Sequence, residues 1–163
     1  MGRALVACVA AGLGTVALGL VAGPTLLPAV RPLVAWRFPD VPWISAEELE
    51  RRTELIRLDA RSAAEFAVSR IPGARRLDAR LEASLPKHAA MVVYCSVGYR
   101  SAQAARRLRG AGFADVRNLD GGIFHWSNAG RPLIDDAGAA RVVHPYAPPW
   151  GLLLDHERRA ATP

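Results

Sequence analysis

Hydrophobic and polar positions divide the chain into three regimes. From Ala4 to Val30 no residue is charged and most are Ala, Leu, Val or Gly, a run long enough as a helix to cross a hydrocarbon core of about 30 Å. From Ser45 to Gly130 short apolar runs alternate with stretches of helical period. After Gly130 no period persists. Arg131 to Ala140 reads as loop, His144 to Trp150 as a proline-rich extended segment, and the last ten residues as mobile.

The middle regime predicts its elements in order. Ser45-Ala46-Glu47-Glu48 is a capping box that opens a short helix through Leu49, and Leu55 to Leu58 reads as a strand ending at Asp59. A second box, Ser62-Ala63-Ala64-Glu65, starts a helix that stops before Ile71-Pro72-Gly73-Ala74, because proline disfavours helical geometry in the residue before it. A brief strand near Arg75 to Leu77 and a helical turn near Leu81 to Leu85 come next. Met91 to Tyr94 is an apolar run with β-branched and aromatic weight, which fits a strand buried on both faces. From Ser101, a residue able to cap a helix, strong helix formers place Ala102, Ala105 and Leu108 on one face until Gly110 and Gly112 end the helix. Phe113 to Asn118 supplies another strand, and Gly121 to Trp126 a turn and a last short helix. Strands alternating with helices predict an α/β fold with a parallel sheet flanked by helices on both faces, preceded by one apolar N-terminal helix.

That N-terminal run, residues 1–30, is a membrane segment or a signal peptide. Cleavage after Gly23, with Val21 at −3, would leave Pro24 first, a poor junction, so an uncleaved single-pass anchor over residues 4–23 is favoured. Leu5-Val6-Ala7-Cys8 imitates a lipidation site, but such a cysteine should come after the apolar region. Residues 31–43 mix Trp36, Phe38 and Trp43 with Pro32, Pro39 and Pro42 and read as a stiff linker; residues 44–133 form the domain and 134–163 a C-terminal extension. Localisation is the cell membrane. Arg3 on one side and Arg31 with Arg37 on the other barely separate the two orientations, with a slight lean toward a cytoplasmic domain.

Composition changes this picture little. The 163 residues carry a formal charge of +6, almost wholly arginine, since Lys87 is the only lysine. Acidic residues are interspersed with the arginines from Glu47 onward, and no nucleic-acid-binding signature occurs, so nucleic acid is not a predicted partner. The two cysteines, Cys8 and Cys95, lie in contexts too different to form a disulfide framework. The four histidines stand singly, no metal-ligand spacing is present, and no cofactor motif is found.

One stretch carries chemistry. Cys95 ends the apolar strand, and Ser96-Val97-Gly98-Tyr99-Arg100-Ser101 leads into the helix. A strand-loop-helix turns backbone N–H groups toward the sulfur, where they and the helix N-terminus stabilise a thiolate or a persulfide anion. Gly98 permits the turn, and Arg100 adds a full positive charge. The bland alternative is a small buried cysteine at a strand end.

These residues resemble the rhodanese-like sulfurtransferases. Leu58-Asp59-Ala60-Arg61 with Glu65-Phe66, then Ile71-Pro72-Gly73-Ala74, then Cys95 to Ser101, and finally Asp120-Gly121-Gly122 with Trp126 are similar to the family's motifs in the family's order. The resemblance implies a five-stranded parallel sheet. It implies Cys95 as catalytic nucleophile, taking sulfur from a small anionic donor such as thiosulfate and passing it to a thiol, on an acceptor protein or free, or to cyanide. It also implies Ser96, Val97, Gly98, Tyr99, Arg100 and Ser101 as the substrate-binding loop, Arg100 holding the donor, and Asp59 with Arg61 as a supporting ion pair. Arg70 stands where the family often has histidine. A cysteine-dependent phosphatase or arsenate reductase has a similar layout but puts five residues between cysteine and arginine; here four separate Cys95 from Arg100. A tethered binding module of the same fold is the non-enzymatic alternative.

Overall fold

The computed structural model describes residues 23–161. The expected anchor therefore lies outside the described residues except for Gly23, and among the described residues no helix is long and apolar enough to cross a membrane. What precedes the sheet is a 3-10 helix, Pro24–Ala29, running into α1, Val30–Arg37. Residues 30–37 are helical within the stretch expected to form a stiff linker, and Pro32 is tolerated there because it falls in the first turn of α1, where a backbone N–H needs no partner within the helix. Leu27, Val34, Phe38 and Val41 turn inward and are at most 4% exposed. The segment is thus packed on the domain.

The sheet consists of β1 (Trp43–Ile44), β2 (Ile56–Asp59), β3 (Arg75–Arg76), β4 (Ala90–Tyr94) and β5 (Asp115–Leu119). Their order is β1-β5-β4-β2-β3, and every pairing is parallel. Between the strands run α2 (Ala46–Arg51), α3 (Ala63–Val68), α4 (Ala79–Ser84) and α5 (Tyr99–Gly110), with α6 (Gly122–Asn128) after β5. The central strand explains the two-sided cover. Met91 and Val93 enter a cluster with Leu58, Ala102, Ala105 and Leu108, whereas Val92 and Tyr94 enter another with Leu49, Leu119, Ile123 and Phe124. With both faces of β4 buried, helices are needed on each side of the sheet.

The caps fix where the helices begin. Ser45 accepts from the Glu48 amide, the Ser62 and Glu65 box is complete in both directions, and Asp78 caps α4 through the Leu81 amide. α5 departs from expectation: its cap is Gly98, at φ +105°, three residues before the expected Ser101, so Ser101 lies inside the first turn instead of capping it. A left-handed glycine bends the chain from loop to helix in one residue, which no serine at 101 could do.

Two C-terminal expectations are also corrected. Arg131 to Ala140 contains an antiparallel ribbon, β6 (Leu133–Ile134) with β7 (Ala139–Ala140). The described residues beyond it are tied down as far as Ala160, since Val143 and Leu154 are fully buried and Val143 exchanges backbone hydrogen bonds with Arg158 and Ala160. Asn128 of α6 holds the Leu153 carbonyl and the Asp155 amide.

Candidate active site

Cys95 comes directly after β4 at the carboxyl edge of the sheet, the edge where open α/β folds place their sites. Its sulfur accepts the Gly98 N–H at 3.2 Å, and the Ser101 hydroxyl donates to it at 3.4 Å. The early start of α5 is what brings Ser101 to the sulfur. Cys95 itself is 1% exposed.

The loop is held from behind by its carbonyls. Those of Cys95 and Ser96 accept from the Ile123 and Phe124 amides at 2.9 and 3.0 Å, and the Gly98 carbonyl accepts from Asn118 Nδ2 at 2.9 Å. With the carbonyls engaged there, the Gly98 amide is left to face the sulfur. The approach of α6 requires glycine at 122: a Cβ there would lie 2.4 Å from the Cys95 oxygen and 2.7 Å from that of Ser96, at φ +57°.

Arg100 does not reach toward the sulfur in this structure. Its two terminal nitrogens grip the Glu65 carboxylate at 2.9 and 2.7 Å, one of them also donates to Ser96 Oγ at 2.9 Å, and the Tyr146 ring lies 4.4 Å from the guanidinium carbon. Burial alone would raise the Glu65 carboxyl. The bonds from Arg100 and the Ser62 amide outweigh it and bring the group down to about 2. Burial likewise pulls the Arg100 guanidinium down, but the Glu65 bond and the charges of Cys95 and Glu65 carry it above its ordinary value.

Deeper in the domain, Asp59 and Arg61 form a fully buried pair at 2.7 Å. Arg61 also donates to the Ser69 carbonyl at 2.6 Å and stands 5.8 Å from the centre of the Tyr94 ring, so the pair sits beneath the strand that delivers Cys95.

Of the six loop residues expected to bind substrate, Gly98 and Ser101 bond the sulfur. Ser96 turns its hydroxyl to Glu65 at 3.2 Å, Val97 is buried in the core, and Tyr99 is half exposed with its ring edge on Phe38. Two arginines farther along α5 are paired, Arg106 with Asp40 and Arg107 with Glu82. A cleft of about 460 Å³ touches the loop at Arg100, with Leu77, Asp78 and Gln103 among its walls. Sequence reasoning gave no role at the site to Glu65, Asn118, Gly122 or Tyr146. A partly buried loop arginine calls for a counter-charge, but nothing in the sequence picks out Glu65, 35 residues away, as its source.

With strand, loop and helix so arranged, comparison with known proteins places the chain in a family. The rhodanese-like domain family matches residues 45–129. The chain belongs to this family. It is similar to a sulfurtransferase of Allochromatium vinosum, 35% identical over 103 residues that cover 58% of this chain and 96% of the relative. The thiosulfate sulfurtransferase GlpE of Pseudomonas putida is 36% identical over 107 residues, covering 63% of this chain and 96% of that protein. Among solved structures, the rhodanese-like domain of an Anabaena protein superposes with a TM-score of 0.55 at 29% identity, covering 58% of this chain and 79% of the other.

Proposed function

We propose that the protein is a sulfurtransferase in which Cys95 carries sulfane sulfur as a persulfide. The observation that carries this reading is the pair of donors aimed at one sulfur, Gly98 N–H and Ser101 Oγ, in a loop whose carbonyls are tied away from it. The Cys95 thiolate attacks the outer sulfur of a donor of the thiosulfate type. A new S–S bond forms, the donor's own S–S bond breaks, and sulfite leaves with the bonding pair. An acceptor thiolate or cyanide then attacks the terminal sulfur, and Cys95 departs as thiolate. Both enzyme forms are anions, so the same donors serve each. Asp59 and Arg61 support the loop through Tyr94 without meeting substrate. Similarity to proteins named for this activity supports the reading, and so does the loop length, which suits one sulfur atom better than a tetrahedral phosphoryl group.

The apolar run of residues 4–23 anchors the domain to a membrane in this reading. The exposed side chains just beyond it, Leu26, Leu33 and Trp36 at 57, 70 and 82%, support a surface that meets lipid. Recovery of the full chain in the soluble fraction without detergent would overturn the anchor while leaving the chemistry untouched.

The full-length protein is expected to convert thiosulfate and cyanide to thiocyanate and sulfite, and to gain one sulfur atom on the Cys95 peptide by mass spectrometry. Cys95→Ser is expected to lose both. Activity retained in the serine variant overturns the assignment, and turnover of phosphate esters without any sulfur transfer favours a phosphatase.

A further inference from the structure

The family match ends at residue 129, yet a residue well beyond it touches the site. Tyr146 belongs to the C-terminal extension and lays its ring 4.4 Å from the Arg100 guanidinium carbon. Among the described residues it is the one non-glycine with positive φ, at +70°. A tyrosine has no intrinsic preference for that conformation, and such outliers persist where the surroundings fix them. Here the surroundings are specific. The Tyr146 amide donates to His144 Nδ1 at 3.0 Å, and flanking residues are anchored by buried Val143 and Leu154 and by the bonds from Asn128.

We propose that Tyr146 is a positioning residue for the sulfur-transfer site: its ring clamps Arg100 onto Glu65 and Ser96, and so keeps the guanidinium at the edge of the Cys95 loop, out of contact with the sulfur but on the side from which an anionic donor must arrive. The proposal rests on the reading of Cys95 as the nucleophile. Both terminal nitrogens of Arg100 are taken by Glu65 and one also by Ser96, while the side chain retains 29% exposure. Water can therefore compete for it. A ring against the guanidinium limits that competition and adds a cation–π attraction. Without the ring the arginine swings toward solvent, and the field at the sulfur weakens.

The test separates ring from backbone in the full-length protein. Tyr146→Phe keeps the ring; Tyr146→Asn removes it with a residue that accepts the left-handed backbone. Alkylation of Cys95 by iodoacetate relative to iodoacetamide reads the local field directly and needs no sulfurtransferase activity. Tyr146→Asn is expected to lower that ratio and to raise KM for thiosulfate, each by roughly two- to fivefold, the range a cation–π contact at a partly exposed site supports. The rate with the neutral reagent and the melting temperature should stay near wild type, and Tyr146→Phe should match wild type throughout. A wild-type ratio in Tyr146→Asn overturns the clamp, as does a loss of both alkylation rates in equal proportion, which would mark a merely structural role. Absence of thiosulfate turnover in every form, with the ratio still shifted, would overturn the sulfur-transfer reading and leave the clamp standing.

Discussion

Glu65→Gln is the perturbation that interrogates the site's electrostatics most directly. The carboxylate accepts four hydrogen bonds, from the Ser62 amide at 2.9 Å, Ser96 Oγ at 3.2 Å and Arg100 at 2.9 and 2.7 Å. A carboxamide has one acceptor oxygen, so its NH2 must confront a donor. A hydrogen bond to a charged group contributes about 1.5–3 kcal/mol, and Arg100 can recover part of its loss because it is 29% exposed. We expect about 2–3 kcal/mol of destabilisation at neutral pH, or about 5–10 °C in melting temperature for a chain of this size. The pH dependence carries its own sign. Glu65 sits at about 2 in the fold against 4.5 in an open chain, so its ionisation favours the fold above 4.5, and that contribution is lost as pH falls from 4.5 toward 2. Its ceiling is about 3 kcal/mol, reduced to about 2 by water at Arg100. Urea unfolding followed by tryptophan fluorescence at pH 7, 5 and 3 should show a wild-type advantage that is nearly constant from 7 to 5 and reduced by about half at 3. A difference under about 0.5 kcal/mol at pH 7, or one unchanged at pH 3, refutes the reasoning.

Two further substitutions probe the scaffold. Gly122→Ala pushes a Cβ against two loop carbonyls at 2.4 and 2.7 Å in a left-handed conformation, and about 3 kcal/mol of lost stability with faster iodoacetamide labelling of Cys95 is expected; wild-type melting and labelling together would contradict it. Phe38→Ala opens a cavity beneath the N-terminal segment and removes the edge contact to Tyr99, for about 3–5 kcal/mol in a urea titration; a loss below about 1 kcal/mol would mean that the segment is not integral to the fold.

Strong local signals carried most of the architecture. The apolar letters of β4, the two serine caps and the terminating glycines of α5 each act through near neighbours, so the order of strands and helices could be read from them. The Cys95 loop was legible for the same reason. Contacts formed across the sheet were not: Glu65 looks like half of a capping box, and nothing nearby tells that Arg100, 35 residues on, shares it. The same holds for Asn118 on β5 and Gly122 on α6, whose partners are loop carbonyls. Prolines misled the reading of residues 31–43, where burial of Leu27, Val34 and Phe38 decides the conformation and proline merely tolerates it.

Anchoring of the Cys95, Ser96 and Gly98 carbonyls to α6 and Asn118 has a consequence for the energetics of turnover. A peptide flip would have to break one of those bonds, so the loop has a single polarity available to it. On the proposed chemistry, thiolate and persulfide meet the same two donors, the Gly98 amide and the Ser101 hydroxyl, with no rearrangement between half-reactions. The reorganisation cost of catalysis then falls during folding, before any donor arrives, and each sulfur transfer begins in an environment already oriented for its product.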